Sequence, residues 1–252
     1  MGTIDWNHTQ AAVWRAKKQY LRPIRHLDPI QLDSLLGVER QKSLLVRNTE
    51  RFLQGKPANN ALLWGSRGTG KSSLIKALLN TFSQDGLRMI EIEKEDLHNL
   101  PDIVDDIRDL PQRFIIFCDD LSFEEGEYGY KALKSVLEGS LELPPENVLI
   151  YASSNRRHLV PEKMSDNEAS KVVNTEVHYG DAIEEKISLS DRFGLWLSFY
   201  PISQPEYLTI IDYYFRNWIG DTTTLHQEAI RFAQSKGIRS GRTAKQFYNH
   251  YI

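Results

Sequence analysis

The stretch of this chain that decides its fold is Gly65-Ser66-Arg67-Gly68-Thr69-Gly70-Lys71-Ser72. It matches G-x-x-x-x-G-K-[ST], a pattern in which glycines let the backbone curve around a phosphate group and point successive N–H groups at it. The apolar run from Ala61 to Trp64 predicts a buried strand before it, and the apolar spacing from Leu74 to Phe82 predicts a helix after it. Because a helix N-terminus favours anions, this setting predicts a phosphate-binding loop and not a chance glycine-rich turn.

Two side chains of the loop are expected to act directly on a nucleotide. Lys71 would reach the β- and γ-phosphates, and the Ser72 hydroxyl would bind Mg²⁺. The loop residues that we expect to bind the nucleotide are Ser66, Arg67, Gly68, Thr69, Gly70, Lys71, Ser72 and Ser73. ATP and Mg²⁺ are therefore the predicted cofactors.

Composition indicates a globular protein. The chain has 252 residues, of which 40% are hydrophobic, and this is enough to build a core. Its apolar runs, such as Phe114 to Cys118, are too short to span a bilayer, and its first residues lack the basic and apolar regions of a secretory signal. We therefore expect a cytoplasmic protein without a membrane partner. The single cysteine, Cys118, excludes an internal disulfide framework, and the net charge of −3 gives no global case for binding nucleic acid.

Predicted strands alternate with predicted helices until Pro201, and only helices are predicted after it. The apolar runs read as strands are 61–64, 87–92, 114–118, 147–155 and 195–200. Such continuous apolar runs are typical of parallel strands that are buried on both faces. The sequence predicts an α/β fold of the P-loop NTPase class, with a parallel sheet flanked by helices and followed by a small all-helical lid. The predicted domains are an N-terminal arm (1–32), a nucleotide-binding α/β domain (33–201) and a helical lid domain (202–252).

The N-terminal arm combines tryptophans such as Trp6 and Trp14 with several basic residues. We expect a short amphipathic arm that leads into an extended segment, with an N-terminal helix covering this chain's own core, and an arm that packs on a neighbouring subunit or a partner is the alternative. Residues 156–190 are polar and have the least regular pattern of the chain.

Three polar residues follow buried strands and are candidates for catalysis. Asp119 ends a predicted strand about fifty residues after Lys71, where a P-loop enzyme places the acid that holds Mg²⁺ through water. Asp120 is the candidate general base for the attacking water, and Glu124 or Glu125 competes for that role. Asn155, at the polar end of another strand, would orient the same water or a γ-phosphate oxygen. The alternative for these residues is a set of solvated turn side chains.

Taken in order, these motifs resemble those of the AAA+ ATPases. Leu36-Gly37-Val38-Glu39 is similar to the segment that lines the adenine pocket, Gly65 to Ser72 to Walker A, and Phe114 to Asp120 to Walker B. Asn155 stands where the family has its first sensor. The resemblance covers about residue 33 to the end of the chain.

The resemblance also implies two functional arginines. Arg192, in Ser190-Asp191-Arg192-Phe193, is similar to the arginine finger, which reaches the γ-phosphate of the adjacent subunit. Arg242 is similar to the second sensor of the lid, with Arg239 as the competing candidate. A homo-oligomer with shared ATP sites is the partner that this resemblance implies.

Within the AAA+ class, the chain is most similar to the bacterial group called domain of unknown function 815. The stretches that carry this similarity are Trp64 to Ser73, Phe117 to Asp120 and Leu189 to Leu195.

The sequence departs from the common AAA+ pattern in two ways. Most members end Walker B with Asp-Glu, whereas this chain has Asp119-Asp120, whose second carboxylate is shorter by about one C–C bond, ~1.5 Å. The segment Lys94 to His98 also lacks the aromatic-hydrophobic-glycine loop with which unfoldases grip a polypeptide. Threading of a polypeptide is therefore disfavoured.

Three functions remain open from the sequence. The leading one is an oligomeric AAA+ switch that hydrolyses ATP with Mg²⁺ and acts on an unknown macromolecular client. The second is a nucleotide-dependent adaptor or loader with little hydrolysis, for which nucleic acid is a candidate partner. The local basic cluster Arg156-Arg157-His158 is weak support for that partner, because a solvated loop explains it as well. The third, a small-molecule P-loop kinase, would leave Arg192 and Arg242 unexplained.

Overall fold

The computed structural model describes residues 4–123, 129–139, 143–156, 159, 171–173, 176–178, 189 and 191–252. The strands within these ranges are β1 Ala11–Arg15, β2 Tyr20–Pro23, β3 Ala61–Gly65, β4 Leu87–Ile92, β5 Arg113–Cys118, β6 Val148–Ser154, β7 Lys171–Val173, β8 Glu176–His178 and β9 Leu195–Phe199. The α-helices are α1 Glu39–Leu53, α2 Lys71–Phe82, α3 Leu100–Ile107, α4 Gly129–Glu138, α5 Gln204–Tyr214, α6 Thr222–Ser235 and α7 Gly241–Tyr251. Short 3-10 turns lie at Ala16–Lys18, Leu32–Ser34, Ser83–Asp85 and Lys94–Asn99.

Seven strands form the main sheet, in the order β2-β1-β4-β5-β6-β3-β9. Every neighbouring pair is parallel except β1 and β2, which are antiparallel. The predicted α/β architecture with a parallel sheet and later helices is confirmed. Three features were not predicted: the strand β1, the antiparallel edge strand β2, and the separate pair formed by β7 and β8.

The central strand β5 shows why the sheet needs helices on both faces. Phe114 and Ile116 point into the core formed with α3 and α4, whereas Ile115 and Phe117 point into the core formed with α1 and α2. All four side chains are at most 1% exposed, as expected for a parallel strand covered on both sides. Cys118 ends the strand, and burial raises the pKa of its thiol to about 12, so it is an inert core residue.

The N-terminal arm is where the sequence prediction of a helix is wrong. Residues 11–15 form β1, which adds in parallel to the otherwise open edge of β4, and Met89 N donates to Gln10 O over 3.1 Å. The prediction that this segment covers the chain's own core is confirmed, because Trp6 and Trp14 are each only 6% exposed. Buried Arg88 anchors the segment by donating from Nε to Trp6 O over 2.6 Å. The edge of β4 supplies backbone partners that a local sequence pattern cannot reveal.

The three last helices form a separate apolar core. Phe215 packs against a ring of aromatic side chains at centroid distances of 5.1 to 5.9 Å, namely Trp218, Phe247, Tyr248 and Tyr251. Each helix has a side-chain N-cap: Ser203 forms a capping box with Glu206, while Asp221 and Ser240 cap the next two helices. The predicted all-helical unit thus has its own apolar core and capped helices.

Within the described ranges, none of the helices has the length and apolarity that crossing a membrane requires.

Candidate functional site

The glycine-rich loop joins β3 to α2 and depends on glycine for both its shape and its contacts. Gly65 has φ +130°, and a Cβ placed there would lie 1.9 Å from Phe199 O of β9. The next residue, Ser66, donates its N–H to the same carbonyl over 3.0 Å. Gly70, at φ +96°, ends the loop as the residue before α2. Side chains at these positions would displace β9 or strain the backbone.

Gly68 connects the loop to the lid. Its φ is +75°, and an added Cβ would lie 2.9 Å from Ser240 Oγ and 3.4 Å from Arg242 Cβ. Ser240 is the N-cap of α7 and is 2% exposed, and its hydroxyl also contacts Thr243 Oγ1 at 2.9 Å. The start of α7 therefore packs directly on the phosphate-binding loop.

Lys71 opens α2 and folds back over the loop. Its Nζ donates to Gly65 O and Ser66 O, both over 2.8 Å, and to Asn155 Oδ1 over 3.2 Å. Burial lowers the pKa of this ammonium group, and the charge of Asp119 opposes that effect. A bound phosphate would be a stronger acceptor than the two carbonyl groups, so Lys71 has a charge and a place suited to an anion.

Asp119 accepts three hydrogen bonds through a single oxygen atom. Its Oδ1 receives them from Ser72 Oγ at 2.6 Å, from Ser153 Oγ, and from the N–H of Asp120 at 3.1 Å. The hydroxyl of α2 and the carboxylate after β5 are thus within contact distance, as a shared Mg²⁺ site requires. These are hard oxygen donors, and Mg²⁺ typically takes one or two such protein groups and completes its shell with water and phosphate oxygens.

Asp120 has an unusual backbone conformation and a defined side-chain partner. Its φ is +51°, in the left-handed region that Asp and Asn adopt more readily than other residues with side chains. Its N–H donates to Ser153 Oγ at 3.1 Å, and its Oδ1 accepts from Asn155 Nδ2 at 2.5 Å. Asn155 therefore bridges Lys71 and Asp120, using both ends of its amide.

A cleft of about 1260 Å³ surrounds these groups. Of the predicted nucleotide-binding residues, Arg67 to Ser73 line it, whereas Ser66 instead accepts a hydrogen bond from Thr69 Oγ1 at 2.8 Å. Leu36 and Val38 line it on another side, and Gly37 turns the chain between them with φ +76°. The volume exceeds the usual range for a small-molecule site, because the cleft is open between the sheet and the lid.

The two candidate lid arginines differ in their position relative to the cleft. Arg242 lines it, and its charge is close enough to Lys71 to lower the pKa of that lysine further. Arg239 is exposed and is not among the described residues that line the cleft. This geometry favours Arg242 over Arg239 as the lid residue that would contact a nucleotide.

Arg192 lies away from this chain's own cleft. It precedes Leu195, the first residue of β9, which pairs with Ala61, whereas the phosphate-binding loop begins at the other end of that strand pair. The length of β9, roughly 15 Å, therefore separates Arg192 from the phosphate-binding loop of the same chain. Arg192 Nε lies 2.5 Å from Glu138 Oε1 on α4, and its side chain is 15% exposed.

Some residues of the candidate site were not predicted from the sequence, and some predicted residues lie outside the described ranges. Ser153 contacts both carboxylate residues, and its only signal was the polar end of the apolar strand β6. Leu35 and the segment 28–31 also line the cleft, without a motif that marks them. The residues Glu124, Glu125, Arg157, His158 and Ser190 lie outside the described ranges.

Comparisons with known proteins agree with this fold. The family described as "Protein of unknown function (DUF815)" matches residues 7–252. The structure of the Aeropyrum pernix Orc1 protein in complex with DNA is similar with a TM-score of 0.59 at 15% identity, covering 83% of this chain and 58% of that one. A point mutant of the Thermotoga maritima RuvB protein is similar with a TM-score of 0.51 at 13% identity, covering 88% of this chain and 73% of that one.

One protein is similar to this chain in sequence over a short stretch. The replication factor C large subunit of Ignicoccus hospitalis is 34% identical over 77 residues, which are 30% of this chain and 16% of that protein. This chain thus matches only a small part of that relative's length. The solved structures are so distant in sequence that they establish the P-loop AAA+ fold and nothing more specific.

Proposed function

We propose that this chain, which belongs to the DUF815 family and has the P-loop AAA+ fold, binds ATP with Mg²⁺ and hydrolyses it as an oligomeric switch. The observation that carries this proposal is the convergence of Lys71, Ser72, Asp119, Asp120 and Asn155. They come from three separate segments of the chain, and a chance glycine-rich turn would not bring them together.

Each of these groups has a definite role in the proposed reaction. Lys71 binds the phosphates, while Ser72 and Asp119 hold Mg²⁺, which supplies charge neutralisation for the phosphoryl group. Asp120 takes the proton of the attacking water as general base. Asn155, which contacts both Lys71 and Asp120, orients that water.

The lid and the domain division belong to the same proposal. Residues 33–201 hold the catalytic groups, residues 202–252 form the lid, and the arm, residues 1–32, contributes strands β1 and β2 to the sheet. Because α7 contacts Gly68, a change at the phosphates is passed to the lid through Ser240 and Arg242. Arg192 completes the site of the adjacent subunit in a homo-oligomer.

Replacing Lys71 with alanine tests nucleotide binding. We expect the affinity for a non-hydrolysable ATP analogue to fall by about 10- to 100-fold, because a charged hydrogen bond of about 1.5–3 kcal/mol is lost. Lys76→Ala, on the same helix and 41% exposed, is the matched control and should bind normally. Calorimetric titration measures both variants, and unchanged affinity in Lys71→Ala would refute the assignment of the loop.

Replacing Arg242 with alanine tests the lid. A guanidinium group can pair with the γ-phosphate through two parallel hydrogen bonds, so the variant should lose about tenfold in ATP affinity and much less in ADP affinity. Arg239→Ala is the control, and it should change neither affinity. Equal losses for ATP and ADP in Arg242→Ala would show a general electrostatic effect and no γ-phosphate contact.

An adaptor or loader with little hydrolysis is the second candidate. Two observations favour it: Asp120 is shorter than the usual glutamate, and its Oδ1 is already bonded to Asn155. The similarity to an Orc1 protein that is in complex with DNA makes nucleic acid the partner to test for this candidate. Steady ATP turnover by the purified protein would support the first candidate, and nucleotide binding without turnover would support this one.

A further inference from the structure

The N-terminal segment carries a charge opposite to that of the chain as a whole. Residues 6–27 contain five basic residues and no Asp or Glu, in a chain with a net charge of −3. The five basic residues are Arg15, Lys17, Lys18, Arg22 and Arg25. The proposed ATPase function uses none of them.

The fold exposes most of this charge at the β1–β2 hairpin, which forms one edge of the sheet. Lys17, Lys18, Arg22 and Arg25 are all exposed, on the turn after β1, on β2 and just beyond it. Arg15 is partly exposed and makes a long contact of 3.5 Å with Glu93, which follows the neighbouring strand β4. We call Arg15, Lys17, Lys18, Arg22 and Arg25, together with Tyr20, the basic edge.

Strand register places an aromatic ring within the basic edge. Arg15 pairs with Tyr20 and Val13 pairs with Arg22, so Arg15, Tyr20 and Arg22 share one face of the hairpin. Tyr20 is partly exposed. The opposite face is apolar, since Trp14 and Leu21 pack on the core, and this anchors the hairpin.

One end of the basic edge, the turn with Lys17 and Lys18, lies at the same margin of the sheet as the nucleotide cleft, whereas β2 carries Arg22 and Arg25 away from that margin. Strand β1 is parallel to β4, and so are the strands from β4 to β3, so their carboxyl ends lie together. The turn with Lys17 and Lys18 follows β1, and the phosphate-binding loop follows β3, four strands away, or roughly 19 Å. A ligand bound at Lys17 and Lys18 would thus lie at the margin of the sheet that also carries the phosphate-binding loop.

We propose that the basic edge binds the phosphodiester backbone of a nucleic acid. Several exposed cations along one hairpin and the segment after it can each neutralise a phosphate and release a counterion, and a nearby aromatic ring can stack on an unpaired base. A lipid surface fits less well, because the apolar side chains of this hairpin pack on the core instead of facing outward. An acidic protein would use the same cations, and the polyglutamate control below distinguishes it from a nucleic acid.

Salt dependence gives the first test, with fluorescently labelled single-stranded DNA and no nucleotide present. Four exposed cations predict a slope of log K against log salt of about −3, and hence an affinity that falls by roughly 50-fold between 50 and 200 mM salt. The variant with Lys17, Lys18, Arg22 and Arg25 all changed to glutamine should lose most of this binding and most of this slope. Tyr20→Leu should weaken binding of the single strand about tenfold without changing the slope.

Controls separate this site from general charge effects. A variant with four exposed cations elsewhere changed to glutamine, Arg40, Arg47, Arg231 and Lys236, has the same net charge and should bind like the wild type. Equal losses in both variants, or tighter binding of polyglutamate or of anionic vesicles than of DNA, would overturn the proposal. Because binding is measured without ATP, its failure is distinguishable from failure of the ATPase function, which is read from turnover.

Discussion

Asp120→Asn should leave ATP bound and slow its hydrolysis by about 10²- to 10⁴-fold, the usual contribution of a general base. Asparagine is well suited to this test, because it adopts the left-handed backbone that residue 120 needs, with φ +51°. Its amide oxygen can still accept the hydrogen bond from Asn155 Nδ2. The substitution therefore changes the basicity of the side chain and little else.

Two quantities are measured for the wild type and the variant: the steady-state rate of phosphate release and the affinity for ATP. Asp109→Asn makes the same chemical change at an exposed position away from the cleft and should hydrolyse ATP at the wild-type rate. Full activity in Asp120→Asn would move the general base to Glu124 or Glu125, which the corresponding glutamine substitutions would then test. Loss of ATP affinity together with activity would instead mean that Asp120 helps to hold the metal ion.

The sequence was sufficient wherever a pattern reflects a local or fully buried structure. β5 could be predicted from a continuous apolar run, because its side chains fill cores on both faces of the sheet. The phosphate-binding loop could be predicted because glycine is required at Gly65 and Gly70 by backbone geometry. Both constraints leave a mark in the chain itself, one as an unbroken apolar run and the other as a fixed spacing of glycines.

The rest depended on partners that are distant along the chain. The arm was predicted as a helix because its apolar residues fit an amphipathic pattern. That pattern does not reveal that β4 has an open edge with which β1 can pair. Ser153 could not be identified because a serine at a strand end is common, and its role comes from the turn after β5 meeting β6. The different positions of Arg239 and Arg242 likewise depend on how the lid sits on the loop, since Arg242 lines the cleft and Arg239 is not among the described lining residues.

Arg192 is the residue for which we expect the largest effect. Arg192→Ala should bind ATP almost normally and hydrolyse it about 10³- to 10⁵-fold more slowly, the range that a guanidinium supplied in trans contributes in other P-loop enzymes. Its place just before β9, at the far end of the strand from this chain's own phosphate-binding loop, supports action on another subunit. Specific activity of the wild type should accordingly rise with protein concentration.

The ion pair between Arg192 and Glu138 allows a control that tests whether Arg192 has only a structural role. Glu138→Gln removes the carboxylate that lies 2.5 Å from Arg192 Nε but keeps the guanidinium. If the pair serves only stability, both variants should have similarly lowered melting temperatures and similar residual activity. If Arg192 acts on the neighbouring site, Glu138→Gln should retain most of the activity that Arg192→Ala loses.

Mixing two inactive variants tests the shared site directly. Lys71→Ala cannot bind ATP well but still carries Arg192, whereas Arg192→Ala has an intact nucleotide site. In a mixed oligomer, an intact arginine faces an intact site at some interfaces, so activity should return to a measurable fraction of the wild-type rate. The double variant Lys71→Ala/Arg192→Ala, mixed with Arg192→Ala, is the control and should give no recovery. Turnover that is independent of concentration, without recovery in the first mixture, would mean that each chain hydrolyses ATP alone and that Arg192 acts within its own subunit.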